Sequence, residues 1–186
     1  MDKDRYWASK RRKEPEERIL DACGAAATWP AYREARLSRI ESRDYLAHDT
    51  IQEGAVAVLE RVGMNHEQIL VTLRNDPSNL LWQLEELALH RHFSSVLSSG
   101  QETDPRWRMK ADLIREYLKN RGEESPHHVL ITDTDTDVRS GQELGFWTLA
   151  VAEGIRERSI LAAAHPDRLL DRTLDLLDPD VFPPGF

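Results

Sequence analysis

The chain has 186 residues, a formal net charge of −8 and a single cysteine, Cys23. This length suits one domain with a small appended part. A lone cysteine excludes an internal disulfide and a cysteine-built zinc site, and it fits a reducing compartment. The acidic balance argues against a nucleic-acid partner but is compatible with a small phosphorylated substrate. The sequence shows no signal-peptide core and no run of about 18 apolar residues, so it predicts a cytoplasmic protein with no membrane partner.

Residues 1–46 carry helix signals and no strand pattern. Pro15 between acidic residues predicts a helix start, Gly24 predicts a stop, and Thr28 predicts the cap of a further helix. The basic run KRRK at residues 10–13 is followed by acids, which is typical of a solvated helix face. We expect residues 1–46 to form a short helical cap-like segment and residues 47–186 to form an α/β core.

From about residue 50, short apolar runs alternate with helical patterns. The runs predict strands at 68–73, 93–97, 128–132 and 146–151. Helices are predicted at 51–62, from Pro77, at 105–120 and at 136–144, and the tail is predicted to be helical until Pro179. This alternation indicates an α/β fold, a three-layer Rossmann-like parallel sheet with helices on both faces. Loops that follow the strands then meet at one edge, where open α/β folds bind ligands.

Acidic residues are concentrated where one of these strands ends. Asp133, Asp135 and Asp137 alternate directly after the apolar run VLIT. Two carboxylates about 4 Å apart repel by roughly 4 kcal/mol at an effective dielectric near 20, so such a pair needs a cation, a proton or an outward rotamer. Magnesium prefers oxygen ligands and commonly uses one or two carboxylates together with water and phosphate. Asp and Thr are also common helix caps, so these residues could instead cap or begin a helix without binding a metal. We give this interpretation to Asp135.

Two further residues are placed to act at the same edge. Thr72 ends the strand predicted at 68–73, and Lys110 lies near the start of the helix predicted at 105–120. A lysine at that position can reach back over the sheet edge as a compact positive charge. The nucleotide-binding patterns G-x-x-x-x-G-K-[ST] and G-x-G-x-x-G are absent from the sequence.

The order of these residues resembles the haloacid dehalogenase-like (HAD) hydrolase superfamily, most of whose members are magnesium-dependent phosphatases. ILVTLRN at 69–75 is similar to the family's second motif, Lys110 to the third, and VLITDTDTD at 129–137 to the fourth, with Thr132 in place of the usual glycine. The resemblance implies that Thr72 binds the phosphoryl group and that Lys110 offsets its charge. It also implies that Asp133 and Asp137 hold Mg²⁺.

The family's first motif, Asp-x-Asp-Gly-Thr at the end of a strand, is not evident in this sequence. Asp2 and Asp4 have the spacing of its two aspartates, but no apolar strand precedes them. The nucleophile is therefore absent, supplied by Asp2 or Asp4, or encoded upstream of a misplaced start. The family's first strand is central in its sheet, so its loss would leave unpaired backbone on two strands and would favour a homo-oligomer. Two hypotheses follow, a magnesium-dependent phosphatase acting on a small phosphorylated metabolite and a non-catalytic binding or regulatory module.

Overall fold

A computed structural model describes residues 2–98, 106–122 and 128–185, and of residues 106–109 only the backbone. Within these segments, no helix combines the length and the apolar character that crossing a bilayer requires. The α-helices are α1 Lys3–Arg11, α2 Glu16–Asp21, α3 Trp29–Arg39, α4 Arg43–Leu46, α5 Ala55–Gly63, α6 Pro77–Glu86, α7 Arg106–Arg121, α8 Asp135–Glu143 and α9 Arg158–Ala163. The strands are β1 Ile69–Thr72, β2 Ser95–Ser98, β3 Val129–Thr132, β4 Trp147–Val151 and β5 Arg168–Leu170. Short 3-10 helices span Ala26–Thr28, His90–His92, Thr173–Leu177 and Pro179–Val181.

The N-terminal part of the chain is helical, as the sequence predicts. Asp2 caps α1, because its carboxylate accepts a hydrogen bond from the backbone N–H of Arg5 at 2.8 Å. α1 ends at Arg11, and the chain reverses at Lys13, whose φ of 61° lies in the left-handed region. This reversal leads into α2 and brings Lys13 beside α8.

The strands pair in parallel throughout, which confirms the predicted α/β fold class. β1 pairs with β2, while β3, β4 and β5 form a second group in that order. Among the described residues, no strand joins β1 to β3, so the sheet consists of two pieces. In the described segments, β1 and β3 therefore each keep an edge that no other strand pairs with.

β4 is packed on both faces, which gives the three layers. On one face, Leu149 contacts Val58 of α5. On the other face, Ala150 packs with Val138 of α8 and Leu161 of α9. Full burial of each large aliphatic side chain contributes roughly 1.5–3 kcal/mol, so β4 and its two helical layers form the main core of the α/β part.

α8 approaches the sheet closely at Gly141. A Cβ at this position would lie 2.6 Å from Cγ2 of Thr148 and 3.0 Å from Cδ2 of Leu130. Because a side chain would push the helix away from β3 and β4, glycine allows this close contact and so helps to set the position of the α8 N-terminus.

The tail is not helical up to Pro179, and the sequence-based prediction is wrong there. α9 ends at Ala163 and β5 follows, paired with β4. The Asp167 carboxylate accepts hydrogen bonds from the backbone N–H and the hydroxyl of Thr148 at 2.7 and 2.8 Å, and the Asp167 N–H donates to that hydroxyl at 3.1 Å. Leucine favours helices in isolation, but the Thr148–Asp167 hydrogen bonds, which we call the Thr148–Asp167 clasp, and pairing with the edge of β4 hold the Leu-rich segment as a strand.

Candidate functional site

The polar residues singled out in the sequence lie at the carboxyl ends of β1 and β3. Thr72 is the last residue of β1, Asp133 directly follows β3, and α8 begins at Asp135. The N-cap of α8 is Thr134, whose hydroxyl oxygen accepts a hydrogen bond from the N–H of Asp137 at 3.2 Å. Asp135 is thus a first-turn acid and not the cap. We call this edge, formed by Thr72, residues 132–137 and residues 152–156, the rim.

Lys110 and Asp137 form a partly buried ion pair at the rim. Lys110 Nζ lies 2.6 Å from Asp137 Oδ2, and the two side chains are 20% and 11% exposed. Thr132 donates its hydroxyl to the same oxygen at 3.0 Å and accepts the N–H of Thr134 at 3.1 Å. The Lys110 ammonium and the Thr132 hydroxyl hold the Asp137 carboxylate in place. Lys110 belongs to α7 and Thr132 to β3, so the packing of these two elements against α8 forms the contact.

Asp133 is held by the loop that follows β4. Its Oδ2 accepts a hydrogen bond from the N–H of Ile155 at 2.9 Å. A Cβ on Gly154 would lie 2.3 Å from both Cβ and Oδ2 of Asp133, so a side chain at 154 would overlap the carboxylate. Sequence reasoning did not identify Gly154. The available signal was a glycine in a loop that follows a predicted strand, on the edge already expected to bind a ligand.

Asp135 contacts a residue from the N-terminal helical part of the chain. Lys13 Nζ lies 2.6 Å from Asp135 Oδ2, and Arg156 Nε lies 3.5 Å from Oδ1. The Asp135 side chain is 6% exposed, against 46% for Lys13 and 18% for Arg156. The interpretation of residues 10–13 as a solvated helix face therefore fails at Lys13, which is a partner of a buried carboxylate.

The charges around Asp135 favour its ionised form. Burial raises the pKa of Asp135, but the hydrogen bond and charge of Lys13, with the charge of Arg156, outweigh burial and hold the pKa below its ordinary value of 3.8. The Arg156 side chain adds to this junction, because its guanidinium donates a hydrogen bond to the backbone carbonyl of Lys10 at 3.1 Å. Asp135 thus fastens the end of α1 to the rim.

Thr72 lies apart from the other predicted site residues. Its hydroxyl oxygen accepts the N–H of Arg74 at 3.3 Å, which leaves the hydroxyl proton to donate elsewhere. In the described segments, Thr72 makes no hydrogen bond with Lys110, Asp133 or Asp137. The structure thus brings Lys110 and Asp137 into contact, places Asp133 at the same helix start, and leaves Thr72 on the facing strand.

An opening separates β1 from β3, and we call it the slot. A cavity of about 360 Å³ is lined by Leu70 and Val71 of β1 and by Ile131 of β3, and it extends to Lys110 and Asp137. A second cavity, of about 460 Å³, lies on the α7 side and is lined by apolar residues of both strands and of α7: Ile69, Val71, Ile114, Leu118, Val129 and Leu130. The slot leads from the apolar interior to the rim.

Comparison with known proteins assigns this architecture. A family model described as HAD-hydrolase-like matches residues 108–176. A HAD-like hydrolase from Streptococcus pneumoniae superposes with a TM-score of 0.66 at 20% identity, over 88% of this chain and 75% of that one. The chain has the HAD-like fold. The predicted resemblance to the HAD-like superfamily is therefore confirmed for the fold.

Other structures with the HAD-like fold give the same picture. A HAD-like protein of unknown function from Agrobacterium tumefaciens matches at 17% identity and a TM-score of 0.61, over 86% of this chain and 72% of that one. A predicted phosphoglycolate phosphatase from Haemophilus somnus matches at 18% identity and a TM-score of 0.56, over 69% of this chain and 56% of that one. No curated protein matches the sequence. At these identities the likeness establishes the fold alone.

The carboxylates of this HAD-like rim offer a limited set of metal ligands. Asp133 and Asp137 each use Oδ2 in the contacts described above, and among the described residues Oδ1 of both remains available as a metal ligand. In the described segments, no three His, Cys, Asp or Glu side chains are grouped closely enough to hold a metal ion. The donor set therefore fits Mg²⁺ bound by two carboxylates, water and a phosphate, and does not fit a metal enclosed by protein ligands alone.

Asp2, the candidate for the missing nucleophile, has a structural role. Its carboxylate is committed to the cap of α1, and the hydrogen bond from the N–H of Arg5 lowers the pKa of Asp2. Asp4 lies within the same helix. Neither residue follows a strand, so the structure adds nothing in favour of a nucleophile at this end of the chain, and the identity of the nucleophile stays an open prediction.

Proposed function

We propose that this protein is a magnesium-dependent phosphatase-type hydrolase of the cytoplasm that acts on a small phosphorylated metabolite. The observation that carries the proposal is the Lys110–Asp137 pair, which two helices bring to 2.6 Å at the open edge of a parallel sheet. Within the part of the chain that the structure describes, Lys110 makes one hydrogen bond, to a carboxylate, and retains further N–H donors. A predicted phosphoglycolate phosphatase among the proteins of similar fold supports a phosphorylated substrate.

Each residue of the proposed site has a task that its contacts allow. Thr72 donates its hydroxyl proton to a phosphoryl oxygen, because its own oxygen already accepts the N–H of Arg74. Lys110 offsets the negative charge of the phosphate while it remains paired with Asp137. Asp133 and Asp137 would hold Mg²⁺, which when bound supplies charge stabilisation at the phosphoryl oxygens. Thr132 and Gly154 position these two carboxylates without contacting the substrate.

The test is magnesium-dependent hydrolysis of p-nitrophenyl phosphate by the purified chain, together with calorimetric titration of Mg²⁺ alone. We expect Asp133→Asn to abolish both hydrolysis and magnesium binding, since it removes one of two carboxylate ligands. Asp44→Asn, which changes an exposed aspartate of α4, is the matched control and should retain both properties. Undiminished hydrolysis by Asp133→Asn would refute the proposed site.

Lys110→Met provides an independent measurement at the same rim. Removal of one preorganised hydrogen-bond donor to a developing negative charge typically lowers kcat by about 10²–10³. We expect a loss of this size with magnesium binding retained, because Asp133 and Asp137 remain. An unchanged kcat would show that Lys110 only stabilises α8.

The rival function is a non-catalytic module that keeps the scaffold and binds another protein. It is favoured by a specific observation, namely that two aspartates of the rim already pair with cations of the same chain, Asp137 with Lys110 and Asp135 with Lys13 and Arg156. Turnover of any phosphate ester that depends on Asp133 would exclude this alternative, and failure to hydrolyse a broad panel of phosphate esters would favour it.

A further inference from the structure

Two apolar strands of this protein are less buried than their composition calls for. β4, which has a neighbour on each side, is buried from Thr148 to Val151. β1 has the sequence ILVT, yet each of its residues is only partly buried. In β3, Ile131 is 40% exposed. The difference is that β1 and β3 each lack a partner on the edge that faces the slot, within the described segments.

The slot is enclosed above and below. Ile114 and Leu118 of α7 lie on one side, and Val58 and Val62 of α5 lie on the other. The amino ends of the two strands come together, because Glu67 before β1 and His128 before β3 line the same cavity. β1 and β3 therefore run alongside each other with a covered opening between them, which is the environment of a central strand in a parallel sheet.

The backbone N–H and C=O groups on the slot-facing edges of β1 and β3 require hydrogen-bonding partners at the regular spacing of a strand. A parallel strand presents alternate N–H and C=O groups along each edge, and an edge left unpaired is a template for another chain. Nε2 of His128 is buried without a hydrogen-bond partner among the described residues, and it lies at the amino end of the slot. A buried polar atom without a partner is costly, so this end also calls for a polar group from an occupant.

The charges restrict the occupant further. Between its two ends, the slot is lined by apolar side chains, so an occupant with a charge in its middle would meet no counter-charge. At the carboxyl end, Lys110 lines the cavity, and among the described residues it donates one hydrogen bond, to Asp137, and has two further N–H donors. These donors complement an acidic residue placed directly after an apolar segment.

We propose that the slot binds an extended segment of another polypeptide, which enters as a parallel strand between β1 and β3. The segment consists of about five uncharged apolar residues followed by an acidic residue, and it is recognised by main-chain hydrogen bonds and by side-chain pockets on alternate faces. This inference does not depend on hydrolysis, since an inactive protein would bind the segment equally well.

The direct experiment uses the full chain and a dye-labelled peptide, Val-Ile-Val-Leu-Val-Asp, with a charged solubilising tail at its amino end. Binding is measured by fluorescence anisotropy against the same peptide N-methylated at two alternate backbone nitrogens. We expect binding to weaken by about tenfold or more on N-methylation, since two main-chain hydrogen bonds are lost. Equal binding of both peptides would show unspecific apolar contact and would overturn the proposal.

Protein variants and amide exchange make the test specific to the slot. Val71→Lys places a charge in the slot and should abolish peptide binding, whereas Leu81→Lys, at an exposed position of α6, should not. Exchange measured by NMR needs no variant, and we expect the slot-facing amides of β1 and β3 to exchange faster than those of β4 until the peptide is added. Equal protection of all three strands in the free protein would overturn the proposal. A dimer that the peptide dissociates would identify a second copy as the occupant and would overturn it likewise.

Discussion

Replacement of Asp135 by Asn tests the contact that fastens α1 to the rim. The Asp135 side chain is 6% exposed, whereas its partner Lys13 is 46% exposed. Removal of one member of a fully buried ion pair costs about 3–5 kcal/mol, because the other charge is left uncompensated. Here the lysine can turn into solvent and Arg156 is only partly buried, so we expect Asp135→Asn to lower the free energy of unfolding by about 2–3 kcal/mol.

The reverse deletion should cost less. Lys13→Met removes the exposed partner and leaves Asp135 paired with Arg156, so the expected loss is about 0.5–1 kcal/mol. In the Asp135→Asn background, Lys13→Met should have almost no effect, which gives a coupling energy of about 0.5–1 kcal/mol from the double-mutant cycle. Urea unfolding at pH 7, followed by tryptophan fluorescence, measures all four proteins.

The matched control is Asp112→Asn, which removes an exposed carboxylate paired with Arg115 one turn away on α7. It should change the free energy of unfolding by less than about 0.5 kcal/mol. The reasoning would be refuted if Asp135→Asn cost no more than this control, or if the double-mutant cycle gave no coupling with Lys13.

The pH dependence of the same contact has a defined sign. Because the pKa of Asp135 is lowered in the folded protein, the stabilisation is present above its ordinary value of 3.8 and is lost as the pH falls through the folded value. We therefore expect the wild-type protein and Asp135→Asn to differ in stability at neutral pH and to converge only below pH 3.8.

Three other perturbations test the remaining contacts. Gly154→Ala should displace Asp133 and cost about 1–3 kcal/mol in urea unfolding, with loss of magnesium binding, while Gly145→Ala, where φ is +73° and space is open, should cost about 1 kcal/mol and leave binding intact. Thr148→Val removes the hydroxyl that clasps Asp167 and should lower the stability by about 1–3 kcal/mol, and a smaller thermal shift than that of Gly145→Ala would contradict this role. Burial, with the hydrogen bond to Tyr32, raises the pKa of Tyr6 to about 12, so this contact stabilises the fold below the ordinary value of 10 and is lost as the pH rises towards 12. Thermal unfolding of Tyr6→Phe should lack that alkaline loss, and an identical pH profile in both proteins would show that Tyr6 does not cause it.

The fold follows from the sequence wherever a segment is both apolar and short. β1, β3 and β4 lie inside the predicted runs, since buried parallel strands have a continuous apolar sequence that local pattern reveals. β5 does not follow, because its three residues acquire their conformation from the edge of β4 and the Thr148–Asp167 clasp. The division of the sheet into two pieces agrees with the predicted absence of the family's first strand. That prediction came from the absence of the Asp-x-Asp-Gly-Thr motif from the sequence.

The candidate site is predictable where its residues follow from the strand order, but the contacts of Asp135 are not. Parallel strands bring their carboxyl ends to one edge, so the position of Asp133 and Asp137 follows from the strand assignment. The partners of Asp135 could not be found in this way, because Lys13 is 122 positions away and Arg156 lies in a loop without periodicity. A basic run followed by acids is most often a solvated surface. Only the tertiary structure shows that Lys13, within such a run, pairs with a buried carboxylate.

The attachment of α1 to the loop after β4 has a consequence for the order of events during biosynthesis. Glu157 donates its N–H to the carbonyl of Arg11, and Arg156 donates to that of Lys10, a separation of 146 positions along the chain. On a ribosome, the first helices leave the exit tunnel long before their docking site has been translated. Until residue 157 has emerged, these helices have no docking site on this loop, so the helical segment stays accessible to chaperones and proteases during that part of translation.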